Sequence, residues 1–350
     1  MRAALMLAAR GLGDTWPNPA VGCIIVKEGM VVGRGWTQSG GRPHAETEAL
    51  KRAGAAAKGA TAYVSLEPCS HHGKTPPCAE ALIAAGIARV VSATTDPDPR
   101  VSGQGVAKLR AAGIDVTEGV GKAEAEALNA GFFTRVTQNH PLLALKTATS
   151  LDGRIALASG ESRWITGERA RATVHAIRAR FDAILVGSET AVQDDPDLTC
   201  RIEGYAGRPK VRIVLDRRLR LRPALKLAQT AKAIPTWIYT SHSAPAPDRE
   251  ALAKTGAVVI PVPDTAAALA DMAARGLTRV LVEGGGQVAA ALLKAGFISQ
   301  VYWFRGAQAL GAEARPAIGA LALDQLALAP QFKRLETLPL GGDTLEILST

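Results

Sequence analysis

The arrangement of the apolar runs constrains this chain most. Short stretches such as Val21–Val26, "AYVSL" and "AILVGS" lie between glycine, proline and aspartate turns and stretches of helical period. A run too short for a buried helix and bounded by turn residues is a buried strand. Strands alternating with amphipathic helices give a layered α/β fold, not a bundle or a sandwich.

With 350 residues the chain exceeds one average domain, and two are expected. The first cycle opens with a helix ending near Gly11 or Gly13 and a hairpin turning at Lys27–Gly29. A helix over Ala45–Ala53, a strand at "ATAYVSL", a helix in "PPCAEALIAAG" and a strand at "ARVVSAT" follow. After the turn-rich "DPDPRVSGQG" come a helix near Val106–Ala112, a strand at "IDVTEG" and one last helix over Lys122–Arg135. A second cycle begins after "TQNHP" with strand "LLALKTATS" and a helix over Glu168–Arg180. Strand "AILVGS", the irregular "ETAVQDDPDLTCR", strands "KVRIVLD" and "PTWIYT", and a strand–turn–helix in "RVLVEGGGQVAAALLKAG" complete it. The boundary is set near Asn139–Pro141, giving domains 1–139 and 140–350.

No apolar run reaches bilayer length, so no membrane partner is expected. The N-terminal "MRAALMLAARGLGD" has the charged-then-apolar order of a signal peptide, but its short apolar part runs straight into an amphipathic helix. A folded helix and a cytoplasmic protein are expected. The net charge of +9 is dispersed, apart from "DRRLRLR", and aromatic residues make up only 4%. Nucleic-acid binding needs a basic stripe with stacking residues, so none is expected. Four scattered cysteines do not form a secreted disulfide framework, and Cys23 and Cys200 read as plain thiols.

Chemistry enters at "HAETEAL" and "SLEPCSHHGKTPPC". A catalytic zinc site takes three protein ligands and leaves a position for water. His44 offers an imidazole, and Cys69 and Cys78 offer thiolates beside helix-starting prolines. Glu46, two residues beyond His44, is placed to shuttle a proton instead of ligating. His-x-Glu followed by Pro-Cys and a second cysteine is the pattern of zinc deaminases. Here the second cysteine follows nine residues after the first instead of three, and His71 and His72 in the insertion remain rival ligands. A purely structural zinc would be closed by four ligands and would need no shuttle such as Glu46.

In the second half no G-x-G-x-x-G fingerprint follows the first strand, which argues against a doubly wound dinucleotide fold. "VLVEGGG" before a helix instead lets backbone approach a ligand closely and offers free N–H groups to phosphate. Lys146 is a candidate beside a sugar, and the arginines of "DRRLRLR" suit either solvent or a cofactor phosphate.

Taken together, "WPNPAVGCIIV", "HAETEAL", "LEPCSHHGKTPPC", "LKTATSLDGRIA", "SRWITG", "DDPDLTCR" and "LVEGGG" resemble the bifunctional deaminase/reductase family of riboflavin biosynthesis over nearly the whole chain. The resemblance implies a cytidine-deaminase-like three-layer domain with a mixed sheet, then a dihydrofolate-reductase-like α/β domain. It implies hydrolytic deamination of a phosphoribosylaminopyrimidine at one zinc per chain, and NADPH-dependent reduction of the ribosyl group to ribityl. By the same resemblance His44, Cys69 and Cys78 hold zinc and Glu46 moves the proton. Asn18 would contact the pyrimidine, and His71 and Lys74 would lie near the ribose phosphate. NADPH would lie against Ala148, Trp164, Thr190, Asp194, Arg217, Gly285, Gly286, Gln287, Val288, Ala289, Ala290 and Ala291. The reductase substrate would lie against Lys146, Ser162, Arg178, Leu198, Arg201 and Glu283. A small phosphorylated pyrimidine is the expected partner, and a homo-oligomer the expected assembly.

Overall fold

A computed structural model of the protein describes residues 1–72 and 76–350. Its packing divides into one unit of Met1–Pro141 with Met272–Thr278, and a second of Leu142–Asp271 with Arg279–Thr350. No helix among the described residues is long and apolar enough to cross a membrane.

The first unit is built on a five-stranded sheet of β1 (Gly22–Lys27), β2 (Met30–Trp36), β3 (Thr61–Val64), β4 (Arg89–Ser92) and β5 (Asp115–Glu118), in the order β2-β1-β3-β4-β5. β1 runs antiparallel to both β2 and β3, while β3, β4 and β5 are parallel, so the sheet is mixed as expected. Cys23, Ile25, Val64, Leu82 and Leu109 form part of its core. The helix Ala45–Ala53 lies directly on β2 because Gly33 and Gly35 carry no side chain there. A Cβ on either would come within 2.3 Å and 2.1 Å of the carbonyl oxygens of Ala49 and Ala45. That close seat fixes the helix start that carries His44 and Glu46.

One expectation fails in this unit. The single helix over Lys122–Arg135 is two helices, Lys122–Leu128 and Ala130–Gln138, meeting at Asn129. The buried Asn129 amide accepts from the N–H of Ala20 and donates to its carbonyl, both at 2.9 Å. These bonds stitch the break to the segment that carries Asn18.

The second unit has β6 (Leu142–Thr149), β7 (Arg154–Ala156), β8 (Ala183–Gly187), β9 (Val211–Leu215), β10 (Thr236–Thr240), β11 (Val258–Pro261), β12 (Arg279–Val282), β13 (Ile298–Arg305), β14 (Arg315–Pro316), β15 (Lys333–Leu340) and β16 (Asp343–Ser349). Nine of these form one sheet in the order β11-β10-β9-β8-β12-β6-β13-β16-β15, and β7 pairs with β14. The sheet is parallel from β11 to β13 and antiparallel at β16 and β15. Fully buried strands such as β8 account for the continuous apolar runs in the sequence. The stretch read as irregular begins with a helix, Ser188–Gln193. "DRRLRLR" is a loop in which Leu219 and Leu221 are buried while Arg217, Arg218, Arg220 and Arg222 point outward, so the leucines decide its course.

Two candidate functional sites

In the first unit, His44 is the N-cap of the helix Ala45–Ala53, Cys69 lies in the loop after β3, and Cys78 opens the helix Cys78–Ala84 behind Pro77. The ligand atoms of these three residues lie within 4.8 Å of one another. His44 Nδ1 is 3.7 Å from Cys69 Sγ and 3.3 Å from Cys78 Sγ, and the Cys78 N–H donates to Cys69 Sγ at 3.3 Å. Tetrahedral zinc with N and S ligands separates their atoms by about 3.5–3.8 Å, so the residues present fit that ion. The rival ligands are not part of the cluster: His72 pairs with Glu80 at 3.3 Å, and His71 lines the neighbouring cavity wall.

Electrostatics agree with this donor set. Hydrogen bonding with Cys78 pulls the Cys69 thiol down to about 4 against the effect of burial, with His44 adding to the pull. Cys78 is pushed up, first by that same hydrogen bond and then by burial. The hydrogen bond to Cys69 raises His44. Glu46 is 3% exposed, and burial, with Cys69 nearby, lifts its carboxyl to about 7.

A cavity of about 220 Å3 opens on His44, Glu46 and Cys69. Asn18 stands in its wall, its amide donating to the Gly41 carbonyl at 2.8 Å. Lys74 lies outside the described residues. Sequence reasoning missed Arg42, Glu67, Asp96, Asp98, Arg100 and Arg135, all of which line this cavity. The loop "DPDPRVSGQG" that supplies three of them read only as a turn, because nothing local says which way a loop faces.

In the second unit, a cavity of about 420 Å3 lies at the carboxyl ends of the central parallel strands. Such crevices are where open α/β sheets bind ligands. It gathers Lys146, Ala148, Ser162, Trp164, Arg178, Thr190, Asp194, Leu198, Arg201, Glu283, Gly285, Gly286 and Ala289 from the expected set. Gln287, Val288, Ala290 and Ala291 are not among its lining residues. Gln287 and Ala291 face solvent, Ala290 is buried, and Val288 packs toward Gly187. Arg217 lines two other cavities, one with Arg218, Ser241 and Ser243, the other with Asp216 and Thr240.

The three glycines of the turn differ in what their backbone requires. Gly285 is extended (φ −79°, ψ −177°), and a Cβ there would meet only Thr190 Oγ1 at 3.3 Å. The left-handed backbone belongs to Gly284 (φ 111°), and the crowding to Gly286, where a Cβ would sit 2.8 Å from the Pro316 carbonyl. The open backbone at Gly285, the start of the helix Gly286–Lys294 and the 66%-exposed Trp164 indole fit a dinucleotide. Arg171 stacks on that indole, its guanidinium carbon 4.4 Å from the ring centre.

Arg178 is not a free phosphate clamp. Its Nε and one terminal nitrogen donate to the two oxygens of Glu283 at 2.5 and 2.8 Å, and its other nitrogen to the Thr199 carbonyl at 2.7 Å. Lys146 Nζ lies 4.0 Å from the same carboxylate. Burial raises Glu283, but Arg178 and Lys146 outweigh it and hold the carboxyl below its usual value. Burial lowers Lys146, with Glu283 opposing. Arg201 is more exposed, paired to Asp197 at 3.4 Å, and its N–H donates to His175 Nδ1. His175, three residues before Arg178 on one helix, supports Arg201 from outside the cavity lining.

The pattern of the RibD C-terminal domain matches residues 141–345, and that of the cytidine and deoxycytidylate deaminase zinc-binding region matches residues 1–94. The riboflavin biosynthesis protein RibD of Escherichia coli is 43% identical, covering 98% of this chain and 96% of that protein. RibD of Aquifex aeolicus is also 43% identical, over 89% and 87%. A solved structure of Acinetobacter baumannii RibD superposes with a TM-score of 0.91 at 37% identity, covering 99% of this chain and 97% of that one. A diaminohydroxyphosphoribosylaminopyrimidine deaminase/5-amino-6-(5-phosphoribosylamino)uracil reductase from Thermotoga maritima superposes with a TM-score of 0.88 at 36% identity, over 100% and 97%.

Proposed function

The chain belongs to the RibD family of riboflavin biosynthesis, and on that premise we propose how its two sites divide the work. The protein is a bifunctional zinc-dependent deaminase and NADPH-dependent reductase. The first unit is the deaminase domain and the second the reductase domain. The observation that carries the reading is the convergence of His44, Cys69 and Cys78 beside the buried Glu46.

His44, Cys69 and Cys78 would hold the zinc, which when bound supplies the Lewis acidity that lowers the pKa of a water molecule toward neutrality. Glu46 takes a proton from the attacking water and returns it to the exocyclic amine of the pyrimidine. The C–N bond breaks and ammonia leaves, and the ring keeps the water oxygen, whose remaining proton passes to the adjacent ring nitrogen to leave a carbonyl. Burial raises the Glu46 carboxyl toward the range in which it can accept and return a proton near neutrality. Asn18 and the wall of Asp96, Asp98 and Arg100 orient ring and sugar, with His71 toward the phosphate.

In the second unit NADPH supplies the hydride. Gly285 and the helix start at Gly286 would receive its diphosphate, with Trp164, Thr190 and Asp194 as further cofactor-binding residues of the same cavity. Arg217 and Arg218, with Ser241 and Ser243, would take its far phosphate. Glu283 receives the sugar hydroxyls, held rigid by Arg178, and Arg201 with Ser162 holds the substrate phosphate. Lys146, beside Glu283, would hand a proton to the ring oxygen as the C1′–O bond of the ribosyl group opens, C1′ being the carbon that takes the hydride.

Incubating the protein with the phosphorylated diaminopyrimidine tests the reading. Ammonia release without NADPH, then NADPH oxidation coupled to a ribityl product, is expected; no ammonia release refutes the deaminase half. We also propose a cytoplasmic homo-oligomer, supported by the exposed Leu326, Leu328 and Leu335. A monomeric mass in light scattering would overturn the assembly.

A further inference from the structure

Glu67 stands two residues before Cys69, is 3% exposed, and takes no part in the steps above. Its Oε1 accepts the backbone N–H groups of Gly105 at 2.9 Å and Val106 at 3.2 Å. Its Oε2 accepts those of Gly103 at 2.9 Å and Asp96 at 3.3 Å. An ionised carboxylate has about four acceptor positions, and all are used here.

These donors come from both ends of one loop. Asp96 and Gly103 bracket the turn-rich stretch whose Asp96, Asp98, Arg100 and Val101 line the metal cavity. Inside it, the Asp98 N–H donates to the Asp96 carboxylate at 2.9 Å and the Arg100 N–H to that of Asp98 at 3.0 Å. Closing both ends on one oxygen fixes where these side chains stand. Gly105 and Val106 open the helix Gln104–Ala111, whose own N-cap, Gly103, offers no capping side chain. The contact with the ligand loop is close: a Cβ on Gly105 would lie 1.9 Å from the carbonyl oxygen of Pro68, the residue before Cys69. The N–H of Glu67 itself donates to the Thr94 carbonyl at 2.9 Å.

We infer that Glu67 is a positioning residue that ties the loop carrying Cys69 to the 96–103 loop, and so sets how tightly the deaminase domain holds its substrate. The inference rests on the deaminase reading. A residue that merely capped the helix would affect stability and leave substrate affinity alone.

The test is Glu67→Gln in the full chain. Glutamine keeps the shape but turns an NH2 group toward two backbone N–H donors, which it cannot satisfy. The expected result is unchanged zinc content and reductase activity, with KM for the phosphorylated diaminopyrimidine raised about tenfold or more and deaminase kcat kept within about threefold. Unchanged KM, loss of zinc, or a fall in kcat alone would overturn the inference. If the variant does not fold, hydrogen exchange on the unaltered protein decides. The amides of Asp96, Gly103, Gly105 and Val106 should be protected together, and exchange at the rate of exposed loop amides would overturn it. Failure of the unaltered protein to release ammonia would count against the deaminase reading instead.

Discussion

Replacing Glu283 by glutamine perturbs the most concentrated charge in the second unit. The carboxylate accepts from two nitrogens of Arg178 and faces Lys146 at 4.0 Å. The side chains of Glu283, Arg178 and Lys146 are only 7%, 11% and 16% exposed. Glutamine would leave two buried cations without a counter-charge. Breaking a buried pair costs about 3–5 kcal/mol, and the retained carbonyl oxygen keeps one hydrogen bond, so the lower figure of about 3 kcal/mol is expected. In a unit of about 200 residues each kcal/mol shifts Tm by roughly 2–4 °C, which gives a fall of about 6–12 °C. Calorimetry of the full chain reads this, the second unit's transition being the one a zinc chelator leaves in place. Reductase activity should be lost as well if this carboxylate receives the sugar hydroxyls as proposed. The double change Arg178→Met with Glu283→Leu should recover most of the stability and none of the activity, with Lys146 left to shed its proton. A drop below about 2 °C in the single variant would refute the claim that this carboxylate neutralises both cations.

Glu46→Gln should retain zinc by elemental analysis and lose deamination by about 10²–10⁴-fold, whereas Cys78→Ser should lose both; full activity in the first would remove the proton shuttle. Gly285→Val should fold normally and weaken NADPH in a fluorescence titration, since its extended backbone suits any residue, while Gly284→Ala should destabilise the unit because of its φ of 111°. Equal NADPH affinity in Gly285→Val would take that turn out of the cofactor site. Burial raises Asp96 from 3.8 to about 6, so the folded chain binds more protons than the unfolded one in that window, and stability should fall as pH rises from about 4 to 6. Asp96→Asn should flatten that slope by up to roughly 3 kcal/mol in denaturant titrations, and an unchanged slope would contradict it.

The metal centre was legible because its chemistry is local. His44 and Glu46 sit on one helix start, and each cysteine follows a proline that begins a turn or helix. The strands of both sheets were legible wherever burial on both faces left continuous apolar runs, as in β8 and β12. β13, β15 and β16 gave no such signal: the residues of β15 are mostly exposed, and their pairing partners are set by the sheet. The sequence also supplied glycines at the turn after β12 without saying which one bears the backbone strain and which the crowding. That division depends on Pro316 and Thr190, residues far away in the chain. The same holds for Glu67, whose backbone donors lie 29 to 39 residues along the chain, and for Arg178, whose partner Glu283 lies 105 residues away. The amino-acid sequence by itself determined the layered α/β class and pointed to His44, Cys69 and Cys78 as a cluster with Glu46 beside it, because periodicity and short spacings express them. Only the tertiary structure decided which buried charges find partners, because a carboxylate such as Glu67 or Glu283 takes its role from donors that lie far along the chain and meet only in the packed fold.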